Sequence, residues 1–399
     1  MPTTLRGSIW LLAGLLTLWP AVLRAEPVIM QPEIAGTSLD ISSADLAAAM
    51  AQYRHALAQY LEARQRYTAV AEAYWNEIAE KRRLRTSKRA SHQELMLDDY
   101  VLTQPPIYSG PPRPRNPLKP EENPSPAPYV PGVADFLAAA QREFKFVPRL
   151  PRSESEFKHA YARAAMAAGL AREQIVRIYG FEAGGNGGYD VQAGLEYNKK
   201  ARAITTALGY NQLLATNTVE ILAEKGNQFV RKLSVRATEL PDVEEQALDS
   251  KIAVLRKMVS YSTSVPDAWN EHEMLANTPK GLAIHAMNLD LDLGPLLQTQ
   301  KLLDSVIFAR RKGHDGMLTA AELEMMNLTG DGNGFDMISL PAEWRGKVPT
   351  ANFFQHSGYQ ENPVAQRNNV VGKLIAATDA RMDEESRKSG ARELAAALQ

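Results

Sequence analysis

The sequence predicts a mainly α-helical protein, and three observations support this fold class. Apolar residues recur at steps of three and four along most of the chain, which is the period of an amphipathic helix. Strand-like alternation is scarce, and no internal repeat is evident. The chain has 399 residues, of which 45% are hydrophobic and 23% charged, so it can bury the core of one large or two modest domains.

Residues 1–25 are predicted to be an export signal. Arg6 precedes an apolar run that contains Pro20, and a cleavage point follows at Ala25, before Glu26. The run is about 15 residues long, which is short for a membrane span of about 20; an uncleaved anchor is the alternative. We therefore expect a periplasmic or secreted protein.

The mature chain is expected to be close to neutral, and it has no cysteine. Removal of Arg6 and Arg24 with the signal takes the formal charge from −1 to −3, which argues against bulk electrostatic capture of nucleic acid. The lack of cysteine excludes disulfides, thiolate metal sites and a cysteine nucleophile. The fold must therefore depend on its core.

Residues 26–90 are predicted to be an N-terminal helical segment with one long helix over 43–90. The apolar positions that step by four and three are Leu46, Met50, Tyr53, Leu57 and Tyr60. Such a seam pairs with another helix, either in this chain or in an envelope protein partner. The basic run at 81–89 indicates a solvated helix end, with a contact to anionic lipid or cell-wall polymer as the alternative.

Residues 91–131 are predicted to be a proline-rich linker or a strap that lies on another domain. Proline fixes φ and has no N–H donor, so the many prolines of 104–131 exclude a helix or a central strand. Tyr108 and Tyr129 favour some docking of this segment.

Helical periodicity resumes near residue 132 and predicts a domain over 132–310. Helices are expected in VADFLAAAQREFKFV, SEFKHAYARAAMAAGL and AREQIVRIYGF, then over 211–232, 242–260 and 292–310. Residues 311–399 are predicted to be a helical extension with Gly/Asp-rich loops that ends in a helix near 363–397.

The Gly/Asp-rich segment 313–337 has a partial likeness to an EF-hand calcium loop. The candidate ligands are Asp331, Asn333 and Asp336. Phe335 then falls at the fifth loop position, where calcium needs an oxygen ligand, so the template is not met. The sequence favours a structural helix-loop-helix capped by Thr319, with no bound calcium and no other cofactor.

The stretch YGFEAGGNGGYD, residues 179–190, places Glu182 directly ahead of four glycines. By itself this pattern indicates a helix end, because glycine commonly supplies a left-handed cap. An acid behind the apolar wall of Tyr179 and Phe181 would also acquire the raised pKa that a proton donor needs. Glycines would let a sugar chain approach the backbone closely.

A second stretch, ALGYNQLLATNT at 207–218, makes a pair with the first, and the pair resembles the motifs of lysozyme-like lytic transglycosylases of peptidoglycan. The first family motif is a helix that ends in a catalytic Glu followed by a small residue and glycine, and Glu182 stands at that Glu, although the small residue is usually Ser. The residues that match the second motif are Ala207, Gly209, Gln212 and Thr218. A third family motif, of the Ala-Tyr-Asn type, is not identifiable, and about ten extra residues separate the first two.

The resemblance implies a lysozyme-like fold and cleavage of the β-1,4 bond between N-acetylmuramic acid and N-acetylglucosamine. It implies that Glu182 protonates this bond and then acts as a base toward the 6-hydroxyl of the muramyl sugar, which gives a 1,6-anhydro product. The partner would be a peptidoglycan glycan strand. The candidate substrate-binding residues are Gln212, Tyr210, Asn211, Gly185, Tyr189 and Thr218.

Two other functions remain open. A hydrolytic muramidase needs a second carboxylate, and Asp190 is the nearest one, although its position suits an ordinary turn residue. A non-catalytic scaffold of the cell envelope would keep a lysozyme-like domain only to hold glycan. The long helix, the proline-rich segment and the missing third motif favour the scaffold.

Overall fold

A computed structural model describes residues 43–119, 128–195 and 202–399. Helices predominate in these ranges and none of them contains a strand, which confirms the mainly α-helical fold class. The described residues fall into two compact units, one made of residues 43–119 with Pro128 and the other of Tyr129–Gln399.

The export segment predicted for residues 1–25 lies outside the described ranges. Within those ranges, every helix is too short or too polar to cross a membrane.

The first unit is built on α1, Ser43–Ala90, which is the single long helix that the seam predicts. The proline-rich segment that follows folds back along this helix. Tyr74 donates a hydrogen bond of 3.0 Å to the carbonyl of Thr103, and Lys81 donates one of 2.6 Å to the carbonyl of Asp98. Tyr74 is buried in this contact, so part of the apolar seam of α1 is covered by the chain's own downstream residues.

We expected the basic run at the end of α1 to be solvated, but Arg85 and Lys88 bind residues of the proline-rich segment instead. Arg85 is fully buried, donates to the carbonyl of Asp99 at 3.0 Å and lies 4.3 Å over the ring of Tyr100. Lys88 forms an ion pair of 2.6 Å with the carboxylate of Asp99. The proline-rich segment supplies the carboxylate and carbonyl of Asp99 as acceptors, and these hydrogen bonds compensate for the burial of the cations.

The second unit contains the remaining helices of the described chain. They are α2 Val133–Phe144, α3 Glu154–Ala167, α4 Arg172–Glu182, α5 Ala215–Ala237, α6 Asp242–Ser262, α7 Trp269–Ala276, α8 Pro279–His285, α9 Gly294–Arg311, α10 Ala320–Thr329, α11 Asp331–Ile338, α12 Ala342–Arg345, α13 His356–Gln360, α14 Pro363–Arg367, α15 Val371–Glu385 and α16 Ser389–Ala397.

Two of these helices organise the packing. Helix α5 contacts α6, α7, α8 and α9, and its buried face carries Leu222, Phe229 and Leu233 at helical spacing. Helix α9 contacts α3, α5, α10 and α11. Every element that matters for the candidate site therefore touches α9 or packs against a helix that does.

The helix expected over 211–232 begins later, at Ala215. Leu208 and Leu213 exchange backbone hydrogen bonds of 3.0 Å, so the residues between them form a tight turn instead. The helix expected near 363–397 is likewise divided into α14, α15 and α16. Here the backbone at Val370 forms an antiparallel bridge with Pro349, so its N–H and C=O groups are not available to a continuous helix.

The DGNGFD stretch, expected to be a loop, forms the helix α11. A Cβ at Gly334 would lie 2.3 Å from the Cα of Met326, so glycine is there because α10 and α11 pack closely. Thr319 caps α10 as predicted, since its hydroxyl accepts from the backbone N–H of Glu322 at 3.2 Å.

The three calcium candidates are not gathered around a common point. The hydroxyl of Ser305 donates to Asp331 at 2.6 Å, and the amide of Asn333 donates to the carbonyl of Thr329 at 3.2 Å. Asp336 is buried on the same short helix. Across the described ranges, no group of three or more histidine or acidic side chains is arranged to hold a metal ion.

Candidate functional site

Helix α4 ends at Glu182, and glycines turn the chain away as the sequence predicts. The N–H of Ala183 still bonds to the carbonyl of Tyr179 at 2.9 Å. Gly184 and Gly185 then take φ values of +61° and +71°, a conformation that glycine adopts without a steric penalty. The helix end therefore fixes where the Glu182 side chain begins.

Gly185 lies against the C-terminal helices. A Cβ there would stand 2.3 Å from the carbonyl oxygen of Glu385, and the N–H of Ala391 donates to the carbonyl of Gly185 at 2.8 Å. Asn186 accepts a hydrogen bond of 3.0 Å from the N–H of Gly390. At this glycine, the close approach that we expected of a sugar chain is made by the protein's own backbone.

The Glu182 side chain is buried, with 3% of the residue exposed. The amide of Asn327 donates to its Oε1, whereas no donor among the described residues reaches its Oε2. The carboxyl of Glu324 lies within hydrogen-bonding range and is itself only 1% exposed. Burial raises the pKa of Glu182 to about 7, against the opposing effects of Lys301, Glu324 and Asn327.

A set of charged side chains extends from Glu182 through Lys301 on α9. Burial lowers the pKa of Lys301, and the charges of Glu182 and Glu220 oppose that shift. Burial also raises the pKa of Glu220 to about 8 and that of Asp331 to about 6. Lys301, Glu220 and Asp331 are nevertheless half-buried rather than buried, so these charged side chains retain some contact with solvent, unlike Glu182.

The second motif forms a turn that is fastened to α9. Gln212 has a φ of +44°, and its side-chain amide donates to the carbonyl of Gly209 at 2.7 Å, which closes the turn on itself. Gln298 on α9 donates to the carbonyl of Leu208 and accepts from the N–H of Asn211. Gln298 and Lys301 are three residues apart on one helix, so α9 brings the two motifs together.

Asn211 and Thr218 are fully buried and belong to a polar network in the interior. Thr218 bonds to His285 at 2.8 Å and accepts from the amide of Asn288 at 2.9 Å. Burial lowers the pKa of His285 to about 4, so this ring is neutral near pH 7 and serves as a structural hydrogen-bonding group. Asn211 and Thr218 therefore stabilise the turn from the interior of the protein.

Tyr210, Tyr189 and Asp190 gather around Glu154 of α3. The Tyr210 hydroxyl and the Tyr189 N–H both donate to the Glu154 carboxylate. Burial raises the pKa of Glu154, and the charge of the exposed Asp190 raises it further, while the two hydrogen bonds oppose the shift. Asp190 therefore lies next to Glu154, and the second carboxyl that adjoins Glu182 is Glu324.

Sequence reasoning missed the residues that surround Glu182. Glu324 and Asn327 are three apart in the sequence, so a helix places them on one face, but nothing in the sequence indicates that this face meets α4. Lys301 stands in an unremarkable helical segment. The contact is a long-range one, with a sequence separation of 145 between Glu182 and Asn327.

The chain was compared with protein-family models, curated proteins and solved structures. None of them matches it. The functional argument consequently depends on the chemistry of the site itself.

Proposed function

We propose that this protein is a lytic transglycosylase of peptidoglycan, with Glu182 as the acid and then the base. The observation that supports this most is the pKa of about 7 that burial gives to Glu182. Such a carboxyl is present in both protonated and ionised forms near neutral pH, and one residue that donates a proton and then takes one back needs both forms.

The proposed reaction requires no water. Glu182 gives its proton to the glycosidic oxygen as the bond between that oxygen and C1 of the muramyl sugar breaks. The carboxylate then removes the proton of the same sugar's 6-hydroxyl, whose oxygen bonds to C1. Glu182 ends the cycle protonated, as it began, and the products are a free N-acetylglucosamine end and a 1,6-anhydro-muramyl end.

The proposal requires the glycan to enter beside Lys301, Glu220 and Asp331, since these half-buried side chains retain contact with solvent whereas Glu182 is buried. In this proposal, residues 132–310 adopt a lysozyme-like arrangement and the 207–213 turn forms part of the wall. The predicted export signal would bring the protein to the periplasm or the cell exterior, where peptidoglycan is the substrate at hand.

The test is a clearing assay on purified peptidoglycan with the wild type and Glu182→Gln. Removing the general acid should lower the rate by about 10²- to 10⁴-fold, while Glu239→Gln, an exposed position at the end of α5, should not change it. Mass spectrometry should find anhydro-muramyl ends. Reducing ends would identify a hydrolytic muramidase instead, and a wild type that clears nothing would end the catalytic proposal.

One observation favours a second candidate, the non-catalytic envelope scaffold. Glu182 is enclosed by Asn327 and Glu324, and Gly185 is packed against Glu385, so the motif is stabilised by contacts within the protein. A scaffold of this kind would sediment with insoluble peptidoglycan and release no soluble fragments. The same preparation used for the clearing assay distinguishes the two candidates.

A further inference from the structure

The buried carboxyls of Glu182 and Glu324 each have one oxygen without a donor. Within the described residues, no N–H or O–H group reaches Oε2 of either side chain. The two carboxyls lie within hydrogen-bonding range of each other, and both residues are at most 3% exposed. A buried acceptor without a donor costs about 1–3 kcal/mol, so two such oxygens side by side need an explanation.

A single proton shared by the two carboxyls explains these unpaired oxygens. A protonated carboxyl is an O–H donor, and an ionised one is an acceptor, so one proton converts the pair into a donor and an acceptor. Lys301 then balances the one remaining negative charge, which leaves the group of three neutral. Two ionised carboxylates in contact with one lysine would leave an uncompensated buried charge, which proteins avoid.

The surroundings indicate which carboxyl carries the proton. Asn327 lowers the pKa of both carboxyls, but its hydrogen bond goes to Oε1 of Glu182, where it favours the ionised form. Burial and the neighbouring charge of Glu182 both raise the pKa of Glu324 well above its ordinary value. When the pair holds one proton, Glu324 is consequently the donor and Glu182 the acceptor; a second proton, bound by Glu182 with its pKa of about 7, gives the acid form with which the cleavage step begins.

We infer that Glu324 is a positioning residue for Glu182: its protonated carboxyl donates a hydrogen bond to Glu182 and holds that side chain in place. The inference rests on the proposed function only for its effect on cleavage. In the base step, this O–H would stabilise the Glu182 carboxylate before it takes the 6-hydroxyl proton.

Charged and titratable side chains surround the end of α4, and only two of them act on Glu182. They are Lys301 on α9, Glu324 on α10, Glu220 on α5, Asp331 on α11, Glu154 and Lys158 on α3, Arg381 and Glu385 on α15, and Lys388 before α16. Lys301 and Glu324 are the charged groups that act on Glu182 itself. Arg381 and Lys388 are paired with Glu385 beside the glycine loop.

The experiment compares Glu324→Gln with Glu324→Leu in the full chain. Glutamine keeps a neutral donor of the same shape, whereas leucine removes it. Protein labelled with ¹³C at the glutamate carboxyl carbons is titrated by NMR, and Glu182→Gln and Glu324→Gln assign the two signals. We expect the Glu182 midpoint to rise by about 1 to 2 pH units in the leucine variant and to stay within about half a unit in the glutamine variant.

Three results would overturn the inference: equal shifts in both variants, no shift in either, or a Glu324 signal that is ionised at pH 7 in the wild type. The last measurement needs no folded leucine variant. If peptidoglycan is cleaved, the pH profile of the leucine variant should move to higher pH with the Glu182 midpoint. If the wild type cleaves nothing, the proposed function fails while the titration still decides the status of the pair.

Discussion

The second unit holds two acid clusters along α9, one just before its first residue and one beside Lys301 near its middle, and they are built in opposite ways. Before α9 begins, Asp292 bonds to Arg149 at 2.6 Å, to Arg236 at 2.9 Å and to Lys251. Burial would raise its pKa, but the hydrogen bond from Arg149 and the charge of Lys251 overcome burial and lower it. Farther along α9, Lys301 is the cation that acts on Glu182, and burial prevails there.

The difference shows that burial alone does not determine the state of an acid. Asp292 receives enough donors to stay ionised, and its neighbour Asp290 accepts hydrogen bonds from Lys251 and from the N–H groups of Asp292 and Leu293. Glu182 and Glu324 share one lysine and one amide, so the fold holds a proton there. Buried acids with too few compensating charges have the raised pKa that a proton-transfer site requires, and they lower the stability of the fold as pH rises toward that pKa.

The largest expected effect comes from breaking the well-paired cluster. Asp290→Ala removes a fully buried carboxylate that accepts from Lys251 and from the backbone N–H of Arg149 at 2.7 Å. We expect a loss of about 3–5 kcal/mol in the free energy of unfolding, because a buried cation loses a partner. Urea denaturation measures it, and Asp249→Ala, exposed on α6, is the matched control with little change expected.

The poorly paired cluster should respond in the opposite direction. The folded-state pKa of Glu182 is about 7, above the unfolded value of about 4.3, so the folded protein binds the extra proton and loses stability as pH rises between these values. Glu182→Gln removes this loss and should be roughly 2–3 kcal/mol more stable than the wild type at pH 8, with little difference near pH 4. Unfolding curves at both pH values would contradict us if the gain were equal.

Acid should affect the Asp292 cluster in the reverse sense. The folded-state pKa of Asp292 is lowered below the unfolded value of about 3.9, so its stabilisation is present above that pH and is lost as pH falls through the folded value. Between about pH 4 and pH 7 the Asp292 contribution to stability is therefore constant, and only the Glu182 contribution changes.

A smaller change should follow from Lys301→Met, which removes the cation from the Glu182 cluster. Since the charge of Lys301 lowers the pKa of Glu182, its loss should raise that pKa by about one unit. The NMR titration described above measures the shift. Lys232→Met, at an exposed position on α5, should leave the midpoint unchanged, and a similar shift in both variants would mean that Lys301 has no special role.

The smallest effect is expected for Asp190→Asn, which lies outside both clusters. Asp190 is exposed, so its replacement should change the free energy of unfolding by less than about 0.5 kcal/mol. Cleavage should also be unchanged, because the carboxyl beside Glu182 is Glu324. A variant that folds normally but loses cleavage would restore the hydrolytic muramidase.

Helical periodicity predicted much of this fold, and its failures have local causes. Helix α1 and helices α2 to α4 fall where their apolar spacing places them, whereas α7 and α8 have only eight and seven residues, too few to show a period. DGNGFD has loop composition and is helical, since Gly334 permits the close packing of α10 on α11. A composition rule cannot detect a packing reason of this kind.

The candidate site was predictable in part. The sequence located Glu182 at a helix end and a turn at 207–213, because both are local features with glycine signals. The partners Glu324, Asn327 and Lys301 come from helices more than 100 residues away, and their approach depends on how α9 and α10 pack. Asp190 was chosen as a second carboxylate by proximity in sequence, whereas the fold supplies Glu324 from α10.

The hydrogen bonds that hold the loop at 184–186 determine when during assembly this loop can form. Lys388 donates to the carbonyl of Gly184 at 3.0 Å, and Asn186 accepts a hydrogen bond from the N–H of Gly390. The sequence separation is 204 in each case. The loop after Glu182 therefore reaches its final shape only after residues 385–391 have emerged and docked. Until that docking the Glu182 side chain is exposed to water with the ordinary pKa of an acid, so it cannot hold a proton at neutral pH, and it acquires that ability last.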